Sequence, residues 1–448
     1  MTIHHLTIFA PRKTICMKKI CLALGILSFL AINSYGQDGD CAGVISGQDC
    51  LESNAITTAV PFLLIAPDVR SAALGDAGVA LSPDANSQHW NASKLAFSED
   101  EMGVSISYSP WLRQLVDDMS LSYLSWFTKL NKTSAIGASL RYFTLGDIIF
   151  TDNNGNTIRP FRPNEFAVDV SYSFQLSKRF SGGITARWIN SNLTGGVNVG
   201  GADSRAANAF AVDVSGFYRN DDMSIGDKDA EFTFGFNISN IGNKISYTNT
   251  AQRDFLPTNL RLGPALKIDL DQFNSITILY DANKLLVPTP PIYDSPGDPG
   301  YTGDPNFIIA GQDPDVGVAA GIFGSFADAP GVPVRDDGGT IQRNADNTAQ
   351  IEDGSVFSEE LREINHSVGI EYWYDNQLAV RGGYFYEHPT KGNRQYFSMG
   401  IGVRWKMLGL DISYLIPTEQ RNPLANTLRF GLSLNFGDDS PSNSPQTN

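Results

Sequence analysis

From Met102 onward the chain repeats one device: segments of about ten residues with apolar side chains at every second position and small or polar ones between them. In the last segment Leu428, Phe430, Leu432, Leu434 and Phe436 share one face, and Arg429, Gly431, Ser433 and Asn435 share the other, because successive strand side chains point to opposite sides. Phe397 to Trp405, Phe232 to Ile238 and Phe166 to Phe174 alternate in the same way. The isolated charges Asp169, Arg187, Asp213, Asp281, Glu371, Arg381, Arg404 and Asp411 all fall on the polar faces. An Arg or Lys facing lipid costs about 2–4 kcal/mol near the bilayer midplane, so one charge-free face on every ribbon is what a lipid-exposed wall demands.

Counting these segments places strands near 102–109, 118–129, 133–145, 165–176, 180–191, 207–219, 230–241, 256–269, 274–284, 363–374, 377–388, 395–406, 408–417 and 427–436. The connections alternate in length. Leu130 to Lys132, Ser177 to Arg179 and Asp375-Asn376 are tight, whereas 146–164, 192–206, 242–255, 285–362 and 418–426 are long. An even number of antiparallel strands with short turns at one end and long loops at the other predicts an all-β fold, a 14-stranded antiparallel transmembrane β-barrel over 102–436 with one long extracellular loop, 285–362. Both termini are then expected in the periplasm. A soluble β-sandwich also alternates, but its strands average five or six residues, and a tilted membrane strand needs about 9–11. Tyr108, Tyr142, Trp188, Tyr218, Tyr280, Tyr374, Tyr386, Trp405 and Tyr414, near segment ends, supply candidate aromatic girdles. Pro264, beside Gly263, marks a bulge, a kink or a strand end, and so either a lateral opening or a plain irregularity.

The first 36 residues read as an upstream extension and a signal peptide: Met17-Lys18-Lys19, the apolar run Ile20 to Ile32, then Ser34-Tyr35-Gly36 at the cleavage site. Beyond that run no apolar stretch is long enough for a membrane helix. Cys41 and Cys50 are left alone after cleavage, and in an oxidising compartment they are expected to close a small disulfide loop. Residues 437–448 read as a disordered periplasmic tail. The formal charge of −15, with no basic stripe, excludes a nucleic-acid binder. Residues 37–101 read as a periplasmic N-terminal segment followed by a plug, because the small residues Ala72, Ala73, Gly75, Ala77, Gly78 and Ala80 suit a segment packed inside a narrow lumen.

The stretch from Ala66-Pro67-Asp68-Val69-Arg70 through Gly75, Gly78, Trp90 and Asn91 to Phe97 resembles the N-terminal plug of the FadL-like outer-membrane barrels, and more closely the PorV family of the type IX secretion system. Where that family usually reads Trp-Asn-Pro-Ala, this chain has Trp90-Asn91-Ala92-Ser93. Gly321 to Gly331, Phe357-Ser358-Glu359-Glu360, Glu371 to Tyr374 and Arg381 to Glu387 resemble the family's long loop and following hairpin, with Val332 to Val356 interposed. The resemblance implies a non-enzymatic outer-membrane carrier. It implies partners too: the outer-membrane translocon, cargo proteins with a type IX C-terminal signal domain, a PorU-type sortase, and outer-membrane lipid around the wall. The fold family also admits a channel for a hydrophobic small molecule, which would want a continuous apolar lumen.

The long loop holds thirteen acids against three arginines, with nine prolines, yet it contains the apolar runs Phe307-Ile308-Ile309-Ala310 and Val316 to Phe326. Long loops in compact proteins are usually functional or disordered, and an exposed apolar patch often marks a protein contact. Phe307, Ile308, Ile309, Ile322, Phe323 and Phe326 are therefore expected either to touch the translocon or cargo or to fold over the barrel mouth as a lid. No Asp-x-Asp-x-Asp-Gly loop points to calcium, and no hydrolase, zinc or phosphate-loop motif appears. No cofactor, metal or catalytic residue is expected. His366-Ser367 is the one adjacent His–Ser pair, and neighbours on a strand face opposite ways.

Overall fold

The computed structural model describes residues 54–437, apart from 114–115, 117, 152–156, 197, 200–201, 249–252, 297–299, 419–423 and 425–426. The signal peptide, Cys41 with Cys50, and residues 438–448 lie outside the described residues. Fourteen strands among those described form one closed antiparallel barrel. They are β1 (Met102–Pro110), β2 (Ser120–Asn131), β3 (Ser134–Thr144), β4 (Asn164–Gln175), β5 (Phe180–Asn192), β6 (Ala207–Ile225) and β7 (Lys228–Gly242). The second half is β8 (Asn259–Asp269), β9 (Asn274–Leu285), β10 (Asn365–Tyr374), β11 (Leu378–Tyr386), β12 (Gln395–Trp405), β13 (Leu408–Pro417) and β14 (Leu428–Phe436). Pairing of β1 with β14, from Met102↔Phe436 to Tyr108↔Phe430, closes the wall.

The two faces are sorted as the alternation predicts. Ile106, Val170, Ile184, Phe210, Ile278 and Ile401 are exposed on the outside, while Ser107, Ser171, Thr185, Thr277 and Ser398 are buried inside. An apolar exterior around a polar interior inverts the usual pattern of a soluble fold, and lipid is the solvent that makes it stable. No helix among the described residues is long and apolar enough to cross a membrane.

Three boundaries differ from the sequence reading. β6 and β7 run on to a two-residue turn at Gly226-Asp227, with a register shift between Asn220 and Met223. Apolar alternation marks only the lipid-covered part of a strand, whereas main-chain pairing continues into water. β8 starts at Asn259 because Pro257 has no N–H to offer a ladder and Leu256 turns into the core. Pro264 produces neither a bulge nor an inserted residue. β7 pairs through it in register (Phe234↔Pro264), and on the β9 side Leu262↔Ala282 and Ala265↔Leu279 keep one register around an unpaired Gly263-Pro264 step. Pro264 lacks the donor, and at Gly263 the Tyr280 carbonyl occupies the place a Cβ would need.

Residues 54–101 thread the lumen. At the long-loop end the Asn54 N–H bonds the Thr390 carbonyl (2.8 Å) and the Ala59 N–H bonds the Phe255 carbonyl (3.0 Å). Val60, Phe62 and Leu63 pack there against Leu121, Phe143, Ala167 and Ile189. At the other end the Lys129 ammonium bonds the Ser98 carbonyl (2.8 Å) and the Glu101 N–H bonds the Phe436 carbonyl (2.9 Å) before β1 begins. The described N-terminal segment thus starts at the long-loop end, opposite to the short-turn side on which the sequence reading put it. Its contacts with loops hundreds of residues away leave no local trace in the sequence.

Candidate functional site: a plugged lumen and a stapled loop face

The plug is short helical turns, Val69–Ala72, Ser87–Trp90 and Ala92–Phe97, joined by extended chain. Its backbone is held by wall side chains on many strands. The Asp281 carboxylate accepts from the N–H groups of Gly78 (2.7 Å) and Val79 (2.9 Å), and the Ser398 hydroxyl accepts from the Gly75 N–H (2.8 Å). The Thr233 hydroxyl donates to the Ala80 carbonyl (2.7 Å), and the Ser181 hydroxyl to that of Ser93 (2.7 Å). Inside the plug, Trp90 donates to Asp68 and the Asn91 amide to the Val79 carbonyl (3.1 Å); the same amide donates outward to the Gly216 carbonyl on β6 (3.0 Å). A Cβ on Gly78 would lie 2.6 Å from the Trp90 ring, and Gly75 sits at φ +72° against the Tyr384 backbone. All four plug residues singled out in the sequence are therefore in close contact within the lumen. What the alternation concealed is the socket: Gly183, Gly235, Gly369, Gly383 and Gly400 face inward where plug backbone or Ala73 leaves no room for a side chain.

The rest of the lumen is wired with charge. Arg187 bonds Asp169 (2.6 Å) and Asp213 (3.0 Å) from three adjacent strands. Glu371 joins plug Arg70 (2.7 Å) to wall Arg381 (2.6 Å), and Asp411 takes Arg381 (2.7 Å) and Arg404 (2.8 Å). Apart from the half-buried Arg404 these groups are buried, and breaking a buried pair leaves an uncompensated charge. A cavity of about 370 Å³ at the short-turn end is lined by Arg70, Asp84, Arg219, Glu231, Lys267 and Arg404, so it too is polar.

At the long-loop end two helices stand out, α1 (Val318–Gly324) and α2 (Ser355–Arg362). Three carboxylates of α2 and its C-cap face inward onto two buried lysines. Lys284, at the end of β9, bonds Glu360 (2.9 Å) and Glu363 (2.6 Å), and Lys391, from the β11–β12 loop, bonds Glu359 (2.6 Å) and Glu363 (3.0 Å). The N–H groups of Ala329 and Gly331 donate to Glu360 and Glu359 (2.9 and 2.8 Å). The Ala-Pro-Gly and Phe-Ser-Glu-Glu blocks are thus two halves of one clasp that fixes the loop to the barrel rim. Apolar side chains of the clasp are exposed beyond these ion pairs: Phe323 is 79% and Phe357 67% exposed, with Leu361 about half, and half-exposed Phe326 lies beside the Lys284 ammonium.

The six loop residues singled out from the sequence divide. Phe323 and Phe326 are exposed and Ile322 is half-buried. Ile309 is buried, and Phe307 packs with it against Ile341, Ala349 and Ile351, so this run is the loop's own core. Ile308 lies half-buried between them. The interposed Val332 to Val356 supplies that core through an eight-residue period. Val334, Gln342 and Gln350 close a ring of three main-chain hydrogen bonds, each 2.8 Å, and the Ala349 N–H reaches the Ile309 carbonyl. Sequence reading missed Phe357 and Leu361, although their spacing of four on an acid-backed helix was a readable signal. His366 and Ser367 face apart: Ser367 is buried in the lumen, and His366 pairs with the Tyr280 hydroxyl (2.7 Å) on the outer side.

The family model described as type IX secretion system protein PorV matches residues 48–292. The chain belongs to the PorV family. It is therefore an outer-membrane component of type IX secretion. The match takes in the plug and β1 to β9, while most of the clasp of this PorV-family chain lies beyond it. No curated protein matches the sequence. Among solved structures the chain is similar to the Pseudomonas putida toluene transporter TodX, at 12% identity over 82% of this chain and 97% of that one, with a TM-score of 0.42. It is likewise similar to the monoaromatic hydrocarbon channel CymD (12% identity, 84% and 99% covered, TM-score 0.43) and to a Pseudomonas aeruginosa FadL homologue (10%, 86% and 99%, 0.38).

Proposed function

We propose that this PorV-family barrel is a non-enzymatic carrier that receives cargo bearing a type IX C-terminal signal domain from the outer-membrane translocon and delivers it to surface attachment machinery containing a PorU-type sortase. The long-loop end is read as the outer face, since outer-membrane barrels turn short connections to the periplasm. The observation that carries the proposal is the contrast between the two ends of the site. The lumen is filled by a plug tied to the wall by buried ion pairs, whereas the clasp at the rim holds Phe323, Phe326, Phe357 and Leu361 outward on a rigid base. A protein that worked through its lumen would want the reverse. Passage of a hydrophobic small molecule is disfavoured by Asp169, Arg187, Glu371 and Arg381 lining the interior. Deleting the gene and measuring the proteins of the medium and cell surface tests the carrier: proteins with type IX C-terminal domains are expected to be retained inside. Their normal appearance outside overturns it.

A further inference from the structure

A second feature of the long-loop end carries positive charge in place of the clasp's apolar surface. Between the β5–β6 and β7–β8 loops lies a groove of about 560 Å³ lined by Arg205, Lys244 and Arg253 together with Asn208, Asn243 and Ser246, and no carboxylate lines it among the described residues. In a chain of charge −15, three converging cations without an acid in their lining are the exception. Arg205 and Arg253 are exposed. Lys244 lies over the Phe255 ring, 4.2 Å from its centroid, and its carboxylate contact is Asp315 at 3.4 Å, a side chain 95% exposed.

The groove's height on the wall decides what it faces. Asn208 pairs with Asn190, and two residues further down the same outward face Phe210 pairs with Trp188, both exposed. Strands rise about 3.4 Å per residue and tilt by about 40°, so the groove begins roughly 5 Å above an aromatic pair of the kind that marks the membrane–water boundary. Below that pair the same face continues as Val212 and Val214, exposed and apolar. We infer that this groove binds the phosphorylated headgroup of an outer-leaflet lipid, with phosphate on Arg205, Lys244 and Arg253 and acyl chains along Phe210 and Val212. Arginine forks match phosphate geometry, and basic residues at this depth attract anionic headgroups. The inference rests on the long-loop end facing outward.

Native mass spectrometry of the full-length mature protein in detergent, incubated with diphosphorylated lipid A, tests it. The parent protein is expected to retain the lipid, and Arg205→Gln with Arg253→Gln to retain it roughly tenfold less or weaker still. Lys132→Gln, at an exposed site on the short-turn end, should match the parent. Dephosphorylated lipid A is expected to bind the parent no better than the phosphorylated form binds the variant. Equal retention by parent and double variant, or of both lipids by the parent, overturns the inference. Displacement by millimolar inorganic phosphate would mark a free-anion site and overturn the lipid assignment as well. The outward direction is checked separately by maleimide labelling of intact cells carrying Asp315→Cys in a background with Cys41→Ser and Cys50→Ser. Absence of labelling overturns the outer-leaflet placement even where lipid is retained, and leaves the cation groove distinguishable from the carrier reading.

Discussion

At the scale of single residues, Asp281 shows how a barrel interior differs from a soluble core. Its side chain is fully buried, and one oxygen accepts both the Gly78 and the Val79 N–H. Asp281→Ala removes that acceptor and strands two buried donors, at a cost of roughly 2–4 kcal/mol. Because both N–H groups use the same oxygen, Asp281→Asn keeps an acceptor and is expected to recover most of the loss. Urea unfolding from detergent, with limited proteolysis of the plug, measures this: the Ala variant should expose 70–95 to protease at lower urea and Asn should not. Asp281 was legible in the sequence as an isolated charge on a small-residue face. Its partners were not, since they are backbone atoms two hundred residues earlier. The same holds for Gly383 and Gly400, which alternation groups with Ser398 as merely small, although they are sites of backbone approach.

At the scale of elements, the clasp depends on the short turn Pro389–Lys391, which presents Lys391 to Glu359 and Glu363. His388 caps that turn: its Nδ1 accepts from the Thr390 N–H (3.3 Å) and shares a hydrogen bond with the Thr390 hydroxyl. Burial, then the positive charges of Arg362 and Lys391, push the His388 imidazole down to about 4. A histidine whose pKa falls on folding favours its neutral form there. Its contribution is complete above about 6.5 and is lost as pH falls from 6.5 towards 4, because the unfolded turn takes up the proton first. Protonated Nδ1 can no longer accept. Hydrogen exchange is therefore expected to accelerate in 388–394 and in α2 between those pH values while strands β1 to β7 stay protected. His388→Asn, which keeps a capping oxygen without the titration, should flatten the dependence; an unchanged slope would remove His388 as its cause. The strands themselves were readable because lipid enforces a period of two over the part of each that it covers, which is why the water-exposed ends of β6 and β7 were not. The clasp was readable only in fragments. Nothing local to Glu359, Glu360 and Glu363 announces the lysines that neutralise them, Lys284 at the end of β9 and Lys391 in the β11–β12 loop.

At the scale of the whole molecule, the plug enters at the long-loop end, meets wall strands on every side of the barrel and leaves as β1, so the wall closes around its own N-terminal segment. A carrier whose cargo rides outside the wall has no use for an open lumen, whereas transport through a lumen occupied by this plug requires the plug to move. Val69 in the plug and Gly431 on β14 distinguish the two, because a Cβ at Gly431 would lie 3.3 Å from that of Val69, close to the separation a disulfide spans. Val69→Cys with Gly431→Cys, in a background carrying Cys41→Ser and Cys50→Ser, locks plug to wall when oxidised. If cargo rides on the outer clasp, oxidised and reduced cells should export type IX cargo equally, as measured by surface proteomics with and without reductant. Export that stops in the oxidised state and resumes on reduction would mean that the plug travels, and that the carrier works through its lumen.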